Sequence, residues 1–306
     1  MVVYGYARLV TYDAEFNLQP DILARVDDEL GRSFTLHLRK GHRWSDGTPF
    51  TAEDFRYWWE DIANQPKLSP LGPPKQLVVA GERAKFEIID DHTVRYSWSS
   101  PNPHFLPALA SATPLYIYRP AHYLKPFHTR YANPEKLTAM VKKSGRRNWA
   151  ALHNRRDNQY KNDNPKLPTL QPWVLQTKPP AQRFLFDRNP YFHRVDQNGR
   201  QLPYTDRVAM GVAAAGVIPL KTGAGEADLQ ARGIAFNNYT FLKEAEKREN
   251  FKVRLWQTAK GSHLALFPNL NIKDPVWRKL FQNVEYRRAL SLAINRHEIN
   301  QVIYYG

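Results

Sequence analysis

The chain has 306 residues, 42% apolar and 24% charged, which is enough apolar content for a core and excludes a chain disordered by composition. It has no cysteine, which excludes a disulfide scaffold, cysteine-ligated zinc, iron–sulfur ligation and thiol catalysis. Lysine and arginine number 44 against 29 acids, a net charge of +15 that leaves acidic partners open.

Residues 34–39 alternate, with Phe34, Leu36 and Leu38 on one face, and predict a strand. Lys40-Gly41 and the turn sequence Ser45-Asp46-Gly47 end it. Thr51-Ala52-Glu53-Asp54 has the form of a helix start, with the Thr51 hydroxyl accepting from the Asp54 N–H. The predicted helix runs over 52–63 and buries Phe55, Trp58, Trp59 and Ile62. Pro66, Pro70, Pro73 and Pro74 then make residues 65–75 a rigid loop. Residues 86–98 read as a hairpin turning at Asp90-Asp91-His92, and Phe105–Leu109 as a short helix within a proline-punctuated stretch.

A basic stretch over 142–161 predicts a short helix around Trp149 with loops. Strand signals return at 184–186, 207–212, 251–257 and 263–271, and helical spacing at 238–248. Asp274-Pro275 opens a helix through Phe281, a second covers 285–294, and Asn295-Arg296-His297-Glu298 starts a third. This mixture predicts an α/β or α+β fold. The longest apolar stretch, 208–220, is shorter than the roughly 20 residues of a spanning helix. Met1–Tyr6 has no signal-peptide pattern, so read alone the chain is cytosolic or already trimmed.

The sequence contains no H-E-x-x-H, G-x-S-x-G or phosphate-loop motif. Its ten histidines are scattered, and no metal site or cofactor is expected. In Gly223–Asp228 the acid would repel an anion, which favours a plain turn. The densest acids, Asp46, Glu53 and Asp54, are explained by turn and cap duties. The cations of 142–161, with Trp149 and Tyr160 between them, could track a phosphate backbone; a solvated face explains them more simply. Paired aromatics such as Trp58-Trp59 fit a core, whereas Leu71, Pro73, Phe105 and Trp173, beside prolines, fit the lining of a concave surface.

The string FTLHLRKGHRWSDGTPFTAEDFRYWWEDI at 34–62 resembles the extracellular solute-binding proteins of family 5, the dipeptide- and oligopeptide-binding components of ABC importers. Further matches follow in family order: Asp91-His92-Thr93-Val94, Arg188-Asn189-Pro190-Tyr191-Phe192, Gly225-Glu226-Ala227-Asp228-Leu229, and NVEYRRALSLAINRHEI at 283–299. The resemblance implies a periplasmic-binding-protein-like type II fold, with an inserted subdomain at 13–168 and a lobe-one sheet from 1–12 and 169–268. It implies that lobe two begins at 269–306, with 263–271 as the crossing strand. His263 then faces the cleft, and Phe267 and Asn269 flank the hinge. The implied function is capture of an oligopeptide, without catalysis, by a monomer at the periplasmic or extracellular face of a membrane, for delivery to permease subunits. The stretch VDQNGRQLPYTD at 195–206 is similar to a subgroup that includes oligosaccharide binders, which keeps a sugar ligand as the alternative. A basic nucleic-acid-binding protein is the alternative from another class. The family pattern starts before Met1 and continues past Gly306, so the resemblance implies an interior fragment that binds its solute poorly alone.

Overall fold

The structure is a computed structural model and describes residues 7–257 and 264–306. The chain divides into two compact units, Met1–Gly211 and Val212–Gly306. The first unit opens with an antiparallel ribbon, β1 (Val10–Tyr12) and β2 (Leu18–Pro20). β3 (Leu23–Glu29) and β4 (Ser33–Leu38) follow, then a short hairpin of β5 (Val78–Val79) and β6 (Glu82–Arg83). With β7 (Lys85–Asp90) and β8 (Thr93–Ser97), β3 and β4 form an antiparallel sheet of order β3-β4-β8-β7. Phe34 lies opposite Tyr96 and Leu36 opposite Val94, so the alternation read in the sequence becomes a buried face of Phe34, Leu36, Leu38, Val94 and Tyr96.

Against this sheet packs α1 (Ala52–Arg56), which continues as a π-helix over Tyr57–Ala63. The helix therefore spans the predicted 52–63, but it is covered on more than one side: Tyr57 and Asp61 are buried as well as Trp58, Trp59 and Ile62. At its start the Asp54 carboxylate accepts the Thr51 N–H at 3.1 Å, and the Asp54 N–H reaches the Thr51 carbonyl at 3.1 Å.

α2 (Phe105–Ala110) and α3 (Ala121–Leu124) precede two helices that pack together, α4 (Pro134–Lys143) and α5 (Trp149–Arg156). A second antiparallel sheet of order β11-β10-β9 is built from β9 (Trp173–Leu175), β10 (Arg183–Arg188) and β11 (Arg207–Gly211), with Phe184 and Phe186 buried.

The second unit is helical among its described residues: α6 (Ile218–Gly223), α7 (Tyr239–Ala245), α8 (Pro275–Gln282), α9 (Val284–Leu292) and α10 (Arg296–Tyr304). The last three carry side-chain caps. Asp274 accepts from Val276 and Trp277 N–H at 2.9 and 3.1 Å, Asn283 from Glu285 N–H at 2.8 Å, and Asn295 from Glu298 N–H at 3.1 Å. The strands expected at 251–257 and 263–271 are corrected: 251–257 and 264–271 carry no strand, because alternation gives a strand only where a neighbour completes the ladder. No described helix is long and apolar enough to cross a membrane.

Candidate ligand-binding surface

The proline-rich loop at 65–75 places Leu71 fully in solvent, 100% exposed, and tucks Pro73 inside. Phe105 is a correction: at 0% exposure it lines no surface. Its ring lies 5.1 Å from Phe34, 5.5 Å from Tyr96 and 5.3 Å from Trp98, because α2 folds this proline-flanked segment onto the sheet. Trp173 is half-buried at the start of β9, its indole N–H donating to the Thr205 carbonyl at 3.1 Å. In the second unit Phe267 is 87% exposed. Asn269 is exposed and forms a turn, its side chain accepting the Asn271 N–H at 3.1 Å. His263 lies outside the described residues. The predicted positions thus form local pairs along the chain, Leu71 with Pro73 and Phe267 with Asn269, while Phe105 belongs to the core.

The motifs that made the sequence recognisable hold the fold. Asp54, buried in the T-A-E-D segment, accepts from the Trp44 indole at 3.0 Å and from the Thr51 and Ala121 N–H at 3.1 and 3.0 Å. Burial outweighs these donors and pushes its carboxyl up to about 6. Asn189 of the R-N-P-Y-F segment is fully buried; its amide donates to the Gln171 carbonyl at 2.9 Å and accepts from the Tyr191 N–H at 2.9 Å. Just beyond it, His193 and Arg194 converge on buried Asp21, each at 2.7 Å. Burial opposes its charge, but hydrogen bonds from His193 and then Arg194 prevail and hold the Asp21 carboxyl well below the usual range. Next to it, the His42 ring lies 5.2 Å from His193, and burial pushes His42 down to about 4, so it is neutral at pH 7.

Sequence reading missed two features. A chamber of about 20 Å³ between Trp44, Tyr118, Gln171 and the Arg119–Asp157 ion pair has room for a water and none for a solute. In the second unit, Leu255, Trp256, Leu264, Leu266 and Phe267 are all exposed, Trp256 at 76%. The alternation of 251–257 was the available signal; it predicts a strand, whereas Phe251 and Val253 are half-buried and Leu255 and Trp256 lie open. Among the described residues no group of three potential metal-ligating side chains occurs.

A profile of the bacterial extracellular solute-binding proteins, family 5 Middle, matches residues 17–306. The solved structure of an oligopeptide-binding protein OppA is 36% identical and superposes with a TM-score of 0.76 over 98% of this chain and 47% of its own. The periplasmic binding protein MelB from Agrobacterium fabrum C58, solved in complex with stachyose, is 25% identical with a TM-score of 0.70 over 99% of this chain and 45% of its own. The periplasmic alpha-galactoside-binding protein of Rhizobium meliloti is 27% identical over 304 residues, covering 91% of this chain and 38% of the relative. The chain therefore spans less than half the length of these relatives and shares their mixed α/β, periplasmic-binding-protein-like fold. With its ordered motifs used for folding and a family match over nearly its whole length, the chain belongs to the bacterial extracellular solute-binding proteins, family 5.

Proposed function

We propose that this chain is part of the substrate-binding component of an ABC importer, capturing an oligopeptide or similar extended solute and delivering it to permease subunits. The single observation that carries this reading is the superposition on an oligopeptide-binding protein along 98% of the chain at 36% identity. In this reading, residues 13–168 are the inserted subdomain, 1–12 with 169–268 the lobe-one sheet, and 269–306 the start of lobe two. Leu71, Pro73 and Trp173 are the candidate solute-contacting positions of the first unit and Phe267 and Asn269 the candidate hinge positions of the second, while His263, the remaining candidate, lies outside the described residues. The protein works as a monomer at the periplasmic or extracellular face of the membrane.

The mechanism is capture without covalent change. An extended peptide satisfies its backbone through strand-like hydrogen bonds and leaves its side chains in wet pockets. The solute draws the protein toward the closed state only by its differential affinity for that state, and the permease reads the result.

A second reading, an oligosaccharide ligand, has its own support. The stretch at 195–206 forms a closed loop in which Asp196 accepts from the Asn198 and Arg200 N–H at 2.8 Å and from the Tyr204 hydroxyl at 2.6 Å. Two of the relatives carry sugar ligands in their names. Titration of the isotope-labelled chain with a pentapeptide and with stachyose, followed by amide NMR, separates the two. Weak binding, with Kd on the order of millimolar, is expected for the peptide, with shifts at Leu71, Trp173, Phe267 and Asn269. Shifts with stachyose alone establish the sugar reading, and silence with both overturns solute capture by this chain.

A further inference from the structure

Between α4 and α5 the chain turns a tight corner whose side chains are almost all cationic: Lys142, Lys143, Arg146 and Arg147 within six residues. The corner is held at both ends. The Ser144 hydroxyl donates to the Val141 carbonyl at 2.8 Å, and Gly145, at φ +65°, turns the chain in the left-handed region. Asn148 then caps α5, accepting the Ala151 N–H at 2.8 Å. All four cations are exposed, and none makes an ion pair or a side-chain hydrogen bond among the described residues. The nearest acid toward the C-terminus, Asp157, is already paired with Arg119 at 2.6 Å.

The negative end of α4 accounts for Lys142 and Lys143. It does not account for Arg146 and Arg147, which lie beyond the helix and add like charge to a fixed corner. Arg155 and Arg156, later in the same basic stretch, are by contrast used internally: Arg155 pairs with Asp163, and Arg156 lies 5.2 Å over the Phe127 ring. The stretch thus divides into internal cations and a cluster of four with no internal use.

We propose that this corner is a docking surface for an anionic lipid bilayer. A corner with four exposed cations can meet a plane of headgroups with several charges, whereas a single nucleic-acid strand is held in a groove with stacking aromatics. The corner itself contains no aromatic residue, and Trp149 beside it is engaged with His128, ring centroids 4.8 Å apart. Each lysine or arginine near an anionic membrane multiplies binding several-fold, so four together give on the order of a hundredfold or more. The contact is independent of any solute.

The test is sedimentation of the chain, without peptide or sugar, with phosphatidylglycerol-containing vesicles and with pure phosphatidylcholine vesicles at low salt. A variant with Lys142→Gln, Lys143→Gln, Arg146→Gln and Arg147→Gln is compared with one of equal charge change at exposed Lys40, Lys67, Lys75 and Lys166. The expected result is binding to the anionic vesicles that falls roughly a hundredfold in the corner variant and less than about tenfold in the comparison variant. Equal losses in both variants overturn the proposal in favour of diffuse net charge, as does absence of binding by the unmodified chain. Tighter, corner-dependent binding to duplex DNA than to anionic vesicles overturns it in favour of a nucleic-acid surface.

Discussion

Asp54 shows how much structure one carboxylate organises. Its two oxygens gather three donors, from Trp44, Thr51 and Ala121, joining the loop before α1 to the start of α3. In Asp54→Asn an amide N–H replaces an acceptor and faces donors in a buried site, so a loss of about 2–4 kcal/mol in urea unfolding is expected. A loss below about 0.5 kcal/mol contradicts this role. The variant also has a pH signature. A carboxyl raised to about 6 binds its proton more tightly folded than unfolded, so its contribution to stability rises as pH falls from about 6 toward 4. The stability of the unmodified chain minus that of the variant should therefore decrease with rising pH across that window, and a flat difference counts against the raised value. The neighbouring acids, assigned to turn and cap duties in the sequence, also make ion pairs: Asp46 with His122 at 2.8 Å, and Glu53 with Arg56 and Lys125 at 2.6 and 2.7 Å.

Among elements, the capped helices of the second unit are the simplest to test. Asp274→Ala removes an acceptor from two N–H groups at the start of α8 and should cost about 1 kcal/mol. Amide hydrogen exchange should quicken at Val276 and Trp277, and unchanged exchange there contradicts the cap. This helix start was legible because an Asx residue followed by proline satisfies local backbone needs with local residues. The hairpin of β7 and β8 was legible for a similar reason, as alternation flanks a short turn. α4 escaped notice although Asn133-Pro134-Glu135 carries the same kind of signal, and Asn133 accepts the Lys136 N–H at 3.0 Å. β3 escaped because it is an edge strand with only Leu23 fully buried, which leaves little apolar period to read. The surface positions were harder still. Neighbouring prolines predicted a place on a concave surface for both Leu71 and Phe105, and tertiary packing sent one out into solvent and the other into the core. No local signal separates the two cases.

At the scale of the whole molecule, family membership rests on ordered motifs whose residues are spent on caps, turns and buried ion pairs, while apolar side chains such as Trp256 and Phe267 stand exposed. In the proposed reading, the protein holds a solute by burial and hydrogen bonding and returns it unchanged. The direct test is to incubate the purified chain with a pentapeptide, follow reversible association by native mass spectrometry, and weigh the peptide afterwards. The account predicts a complex that dissociates on dilution and a peptide recovered at its starting mass. Peptide fragments accumulating in proportion to the amount of chain, and lost on its heat inactivation, would contradict it.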